Sequence, residues 1–143
     1  MGFGFSKGDN MTLFLDSNTI ISILRKNPNI RVIENLKMHN RKDVKVPSMV
    51  RAELIAGALK SEDKDTLRRT EKNLSFYETV PFDDFAATVY GRIKTDLEKK
   101  GIMIGPNDLI IAATVISRGG TLVTSNTKEF GRVEGLSLAN WFV

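Results

Sequence analysis

The chain of 143 residues is long enough for one domain with a real core and too short for two ordinary ones. Its 41% apolar and 27% charged residues are a globular composition, and no apolar run approaches the roughly 20 residues of a membrane helix. There is no cysteine, which excludes disulfides, thiolate metal sites and a cysteine nucleophile, and 21 Lys and Arg against 17 Asp and Glu leave +4, a mildly basic balance suited to a polyanionic partner. The lack of cysteine is compatible with the cytoplasm, to which we assign the chain.

Residues 1–10 are glycine-rich and precede a second methionine, Met11. They carry no apolar core of a secretory signal and read as a flexible extension, with a single domain at 11–143. Residues 12–15 read as a short buried strand ending at Asp16. An amphipathic helix follows over 19–24 and ends in Arg25 and Lys26, before Asn27-Pro28-Asn29 breaks it. Residues 30–40 carry a second helical period, and 44–46 a second strand closed by Pro47. Ser48 reads as the N-cap of a helix over 49–58, with Gly57 weakening its last turn. A charged helix over 62–74 and a third strand over 76–80 come next. Asp83 and Asp84 open a long helix over 85–100, which Lys99 and Lys100 suit at its end and Gly101 stops.

Pro106 then fits the first turn of a helix, where its missing N–H costs nothing. Leu109, Ile110, Ile111, Ala112, Ala113, Val115 and Ile116 make that helix apolar on nearly every side, which predicts burial. It ends at Arg118-Gly119-Gly120, and a fourth strand spans 121–124. A turn at 125–127 and a short helical stretch at 128–131 lead to Leu136-Ser137-Leu138 and Trp141. Strands alternating with helices predict an α/β domain with a mainly parallel sheet.

In such a sheet the binding crevice lies beyond the carboxyl ends of the strands. Asp16 directly follows the first strand, Glu53 lies one turn into the helix after the second, and Asp108 opens the apolar helix. Asn126 follows the fourth strand, with Glu129 three residues on. Three clustered carboxylates repel one another, and a divalent cation is the simplest compensation. Oxygen donors without Cys or a suitable His favour Mg²⁺, with Mn²⁺ as a substitute, over Zn²⁺. Such an ion polarises a phosphate oxygen and activates water near neutral pH. One ion or two would serve, and the sequence leaves the number open.

Each acid has a plainer reading beside this one. Asp16 and Asp108 fit simple helix capping, where backbone N–H groups favour a negative charge. Glu53, among Met49, Val50, Ala52, Ile55 and Ala56, has little polar company, although a rim position paired with Arg51 would account for it. Glu129 reads as a solvated loop acid, and His39, the one histidine, as a solvated surface residue in a polar stretch. A two-histidine ribonuclease mechanism and a Ser-His-Asp triad are therefore disfavoured.

Four segments in order are similar to the PIN-domain ribonucleases, and within them the VapC-type toxins of toxin–antitoxin pairs. Leu15-Asp16-Ser17-Asn18-Thr19-Ile20 resembles the opening LDTNI motif, and residues 48–57 resemble SxxxxELxxG, which places the family glutamate at Glu53. Ile104-Gly105-Pro106-Asn107-Asp108 resembles IGPxD, and residues 124–130 resemble TNNxxEF, with the ending from Gly135-Leu136 to Trp141 also fitting. The resemblance implies a PIN-like fold with helices on both faces of the sheet. It also implies a Mg²⁺-dependent endoribonuclease whose metal ligands are Asp16, Glu53 and Asp108.

Asn126 and Thr124 would then orient water or metal. The family's fourth acid falls on Asn126, an amide here, and Glu129 is an alternative source of that carboxylate. The implied substrate is structured RNA such as tRNA, the implied partner a VapB-type antitoxin protein, and the implied assembly a homodimer away from membranes. Arg25, Lys26, Arg68, Arg69, Arg92, Lys99 and Lys100 are candidates to guide the RNA backbone.

The alternative is a non-catalytic PIN-like module that binds RNA or protein, towards which only Asn126 points. A receiver domain would need an acidic pair near the end of the first strand, which has only Asp16. An aspartyl phosphatase would need a second Asp at position 18, which is Asn18, and a dinucleotide-binding domain would need a glycine-rich turn after the first strand.

Overall fold

The computed structural model describes residues 12–143, so the expected N-terminal extension lies outside the described residues. Five parallel strands, β1 (Leu13–Leu15), β2 (Val44–Pro47), β3 (Glu78–Val80), β4 (Thr121–Val123) and β5 (Ser137–Ala139), form one sheet in the order β3-β2-β1-β4-β5. Seven helices connect them among the described residues: α1 (Ser17–Leu24), α2 (Ile30–Lys37), α3 (Ser48–Lys60), α4 (Asp65–Leu74), α5 (Asp84–Lys99), α6 (Pro106–Ser117) and α7 (Thr127–Phe130). With the right-handed crossovers that parallel strands require, this order puts α1–α4 over one face and α5 and α6 over the other. Among the described residues no helix is long and apolar enough to cross a membrane.

β1 is the middle strand. Its Leu13, Phe14 and Leu15 are buried because both faces of a parallel sheet are covered. Leu13 pairs with Val44 on one side and Thr121 on the other, so the register ends all three strands near one edge. The strand order reverses between β1 and β4, the switch point at which open α/β sheets form their crevice. Asp16 and Thr124 lie just beyond those two strand ends.

Local chemistry sets the helix ends and shifts several expected boundaries. Asp16 caps α1, which therefore begins at Ser17, two residues earlier than predicted. Asn29 accepts from the N–H groups of Arg31 and Val32 and restarts the helix that Pro28 interrupts. Pro47 rather than Ser48 occupies the cap position of α3, and the Ser48 hydroxyl instead accepts from the Phe82 N–H at 3.2 Å. α3 also runs to Lys60, past Gly57. α4 begins only at Asp65, where the Asp63 carboxylate accepts from the Asp65 N–H at 2.9 Å, and a turn at Ser75 and Phe76 delays β3 to Glu78.

β5 is the strand the sequence did not distinguish. Its three residues are at most half-buried and pair only with β4 at the edge of the sheet, so no apolar run marks it. The predicted burial of α6 is observed: Leu109, Ile111, Ala112, Ala113, Thr114 and Val115 are all buried.

Gly119, at φ +65°, ends α6 in the left-handed conformation that glycine tolerates. Gly120 is needed for space. A Cβ there would stand 2.5 Å from the Phe14 ring and 2.9 Å from the Thr12 carbonyl. Gly120→Ala is expected to cost about 1–3 kcal/mol, read as a lower urea midpoint at unchanged slope. Because the obstruction is mainly the Phe14 ring, Phe14→Leu should recover part of the loss in the Gly120→Ala background.

Candidate active site

Four chain segments meet at the carboxyl edge of the sheet: the β1–α1 junction, the second turn of α3, the first turn of α6 and the loop after β4. They line a cleft of about 640 Å³ whose polar end holds Asp16, Glu53, Asp108 and Asn126 and whose other wall includes Ile21, Leu24, Leu54 and Ala58. One hydrogen-bond network ties the polar end together.

Asp16 is 7% exposed. One carboxylate oxygen accepts from the Ser17 N–H at 2.7 Å and the other from the Thr124 hydroxyl at 2.7 Å. The Thr124 oxygen in turn accepts from the Asn126 N–H at 3.0 Å. Burial pushes the Asp16 carboxyl above its ordinary range, the bonds from Thr124 and Ser17 pull it back, and the charges of Glu53 and Glu129 push it up further. Capping and cluster membership thus coexist in this residue, since one oxygen serves each.

Glu53 accepts from the Ser17 hydroxyl at 2.7 Å and from the Asn107 side-chain amide at 3.3 Å. The apolar neighbours along α3 had suggested isolation. Instead Ala52 and Ala56 are exposed, and the polar company comes from α1 and α6.

Asp108 stands in the first turn of α6, but the helix is capped by Gly105, so capping does not account for it. Its carboxyl is pushed up to about 7, first by burial, then by a hydrogen bond with Glu129 and by the charges of Glu129, Asp16 and Glu53. Glu129 is held low, chiefly by that same bond, so the pair shares a proton with Asp108 as its main holder.

Glu129 had read as a solvated loop acid and is instead tied into the site. It accepts from the Asn126 side-chain amide at 3.1 Å and from the Gly105 N–H at 3.2 Å. Asn126 therefore orients a carboxylate with its amide N–H, which an acid at that position would lack. Oxygen-only donors that raise one another's proton affinity suit a hard divalent cation. Among the described residues no three of them stand close enough in this arrangement to hold one ion, so a cation would have to replace the proton between Asp108 and Glu129 and draw the carboxylates together.

The family model of the PIN domain matches residues 13–136. The chain belongs to the PIN-domain family. Within it the chain falls in the VapC group. It is 37% identical over 133 residues to ribonuclease VapC2 of Rickettsia felis and 35% identical over 133 residues to the tRNA(fMet)-specific endonuclease VapC of Salmonella typhimurium. Each alignment covers 92% of this chain and 98% of the relative. Among solved structures, VapBC2 from Rickettsia felis bound to a promoter DNA fragment superimposes with TM-score 0.83 at 35% identity, covering 90% of this chain and 98% of that one. DNA-bound VapBC from Salmonella typhimurium gives 0.85 at 32% identity, covering 92% and 98%.

Two residues of this PIN domain escaped the sequence reading. Ser17 bridges Asp16 and Glu53, and Asn107 supports Glu53. Each adjoins an acid in the sequence, which is the one signal that marks them. Of the basic candidates, Arg25 lines the cleft. Arg68 and Arg69 pair with Asp65 and Asp63, and Lys100 with Asp96 and Glu134. Arg92 and Lys99 line a separate depression on α5. His39 is not simply solvated: its ring stacks on Trp141 with centroids 5.7 Å apart and planes 10° off parallel.

Proposed function

We propose that this PIN domain is a metal-dependent endoribonuclease toxin, and that a VapB-type antitoxin silences it. The observation that carries the reading is the convergence of Asp16, Glu53, Asp108 and Glu129 on one network beside a cleft, with Ser17, Asn107, Thr124 and Asn126 holding the carboxylates in place. Relatives named ribonuclease VapC and solved VapBC complexes support both halves of it. Structured RNA of the tRNA class is the proposed substrate, as the name of the Salmonella relative suggests.

Asp16, Glu53 and Asp108 would hold Mg²⁺, with Glu129 supporting them. Such an ion would supply charge neutralisation and an activated water for attack on a phosphodiester. The chain's own part is to keep the carboxylates aimed. Thr124 and the Ser17 N–H fix Asp16, Ser17 and Asn107 fix Glu53, and Asn126 fixes Glu129. Arg25 at the rim offers a positive charge to a phosphate, and the Ile21–Leu54 wall offers an apolar face to a base.

The test is cleavage of total cellular RNA by purified, antitoxin-free protein with Mg²⁺ and with EDTA. Discrete fragments that disappear with chelator are expected. A folded protein that binds Mn²⁺ weakly or not at all and cuts nothing would move the reading to a non-catalytic binding module.

A pH dependence follows from Asp108. Its carboxyl is pushed up to about 7 in the pair with Glu129, so as the pH falls the proton competes with a cation for the same oxygens. The melting temperature should rise more on adding Mn²⁺ at pH 8 than at pH 5.5, with about half a proton released per ion bound near pH 7 and approaching one at pH 5.5. Equal shifts at both pH values would remove Asp108 from the ligand set.

A further inference from the structure

Residues 25–42 carry Arg25, Lys26, Arg31, Lys37, Arg41 and Lys42 against one acid, Glu34. This segment's net charge is +5, against +4 for the whole chain, so the rest of the protein is close to neutral. Among the described residues none of the six forms an ion pair, as is also true of cations elsewhere such as Arg51, Arg92 and Lys99; what sets the segment apart is six cations against one acid. Local pairing therefore leaves this charge uncompensated.

The segment runs from one pocket to another. Arg25 lines the acidic cleft at the carboxyl edge of the sheet. The chain continues along α2 to a second pocket of about 430 Å³, lined by Lys37, His39, Asn40, Arg41 and Tyr77, and by no carboxylate. Arg41 and Tyr77 immediately precede the turn into β2 and the start of β3, so this pocket opens at the opposite, amino edge of the sheet. Its groups are fixed in place. The Arg41 guanidinium sits 4.4 Å over the Phe76 ring, and His39 is held flat against the buried Trp141. Unpaired cations held in place by packing on aromatic rings suit the phosphates of a nucleic-acid backbone.

We propose that the Lys37–Arg41 pocket is a second RNA-binding site, reached from the catalytic cleft along the basic α2 segment, that holds a phosphodiester stretch of a structured RNA remote from the bond being cut. The partner's identity as RNA rests on the proposed nuclease function; the site itself rests on charge and geometry at the other edge of the sheet. Phosphate contacts of this kind position the substrate without reading its sequence. The pocket therefore selects for RNA large enough to reach both edges.

The test uses the full-length Asp16→Asn protein, so that RNA is bound and not consumed, with and without Lys37→Ala plus Arg41→Ala. Both sites are exposed, and unchanged melting would show that the fold is intact. Binding of a mixed tRNA pool is measured over a range of salt concentrations. The double substitution is expected to weaken binding and to reduce the slope of log affinity against log salt by about 1.5–2. Arg41→Lys should restore most of its share, and binding of a short single-stranded oligonucleotide should be unchanged.

In protein with native Asp16, the same substitutions should raise KM for the tRNA pool and leave kcat alone. Unchanged affinity and slope for the tRNA pool would overturn the proposal. So would duplex DNA of similar length binding as tightly and losing as much slope, since the surface would then be a general polyanion one. If the binding difference appears but protein with native Asp16 cuts no RNA, the site stands and the nuclease function falls.

Discussion

Asp16→Asn is expected to lower RNA cleavage at least about 100-fold while the protein melts no lower than the parent. The lower bound follows from metal sites in which removing a supporting hydrogen bond alone costs about 10- to 100-fold, and Asp16 is proposed as a ligand itself. Stability should not suffer, because the carboxylate is buried and its proton affinity is raised, so the fold carries a charge it does not favour. The amide fits the same space. Its oxygen still accepts from the Ser17 N–H, and its NH₂ donates to the Thr124 oxygen once that hydroxyl turns. Cleavage assays and thermal melts on the same preparations check both halves, and full cleavage by a folded Asp16→Asn protein would remove this residue from the chemistry.

Phe14→Ala is expected to cost about 3–5 kcal/mol, a large share of the roughly 5–15 kcal/mol that holds an ordinary domain together. Phe14 is fully buried in the middle strand and packs against Gly120, so the cavity left behind lies between β1 and the start of β4. The backbone there cannot easily collapse, because Leu13 and Phe14 are paired with strands on both sides. The same substitution loosens the strand that presents Asp16, two residues on. Cleavage should therefore fall with temperature earlier than in the parent, tracking the unfolded fraction measured by denaturant titration. Phe14→Leu, which keeps most of the volume, should show a smaller loss.

The two predictions concern one short stretch, and that stretch shows how structure and function are coupled here. The central strand has only three residues, all buried, and ends on the acid that the cleft needs. Packing errors in the strand and charge changes at its end reach the same site by different routes.

Much of this was legible in the sequence because it depends on local chemistry. The apolar run after Pro106 predicts a buried helix whatever surrounds it, and Asp16 at the end of an apolar strand predicts a position at the sheet's carboxyl edge. The order and spacing of the acids, read with the family motifs, pointed to Asp16, Glu53, Asp108 and Asn126 as candidates, and the structure lines one cleft with all four.

Other features depend on contacts between residues far apart in the chain, and only the tertiary structure decided them. Glu53 finds its partners in Ser17, 36 residues away, and Asn107, 54 residues away, so its neighbours along α3 could not reveal them. Glu129 joined the site because Asn126, Gly105 and Asp108 surround its carboxylate, a relation the loop sequence does not encode locally. β5 is a strand only because β4 offers it an edge, and the His39 ring finds a flat partner only in Trp141, at the other end of the chain. By itself the sequence determined which groups are present and on which elements; folding decided which carboxylates share protons and which cations stay unpaired, because burial and charge act through space and not along the chain.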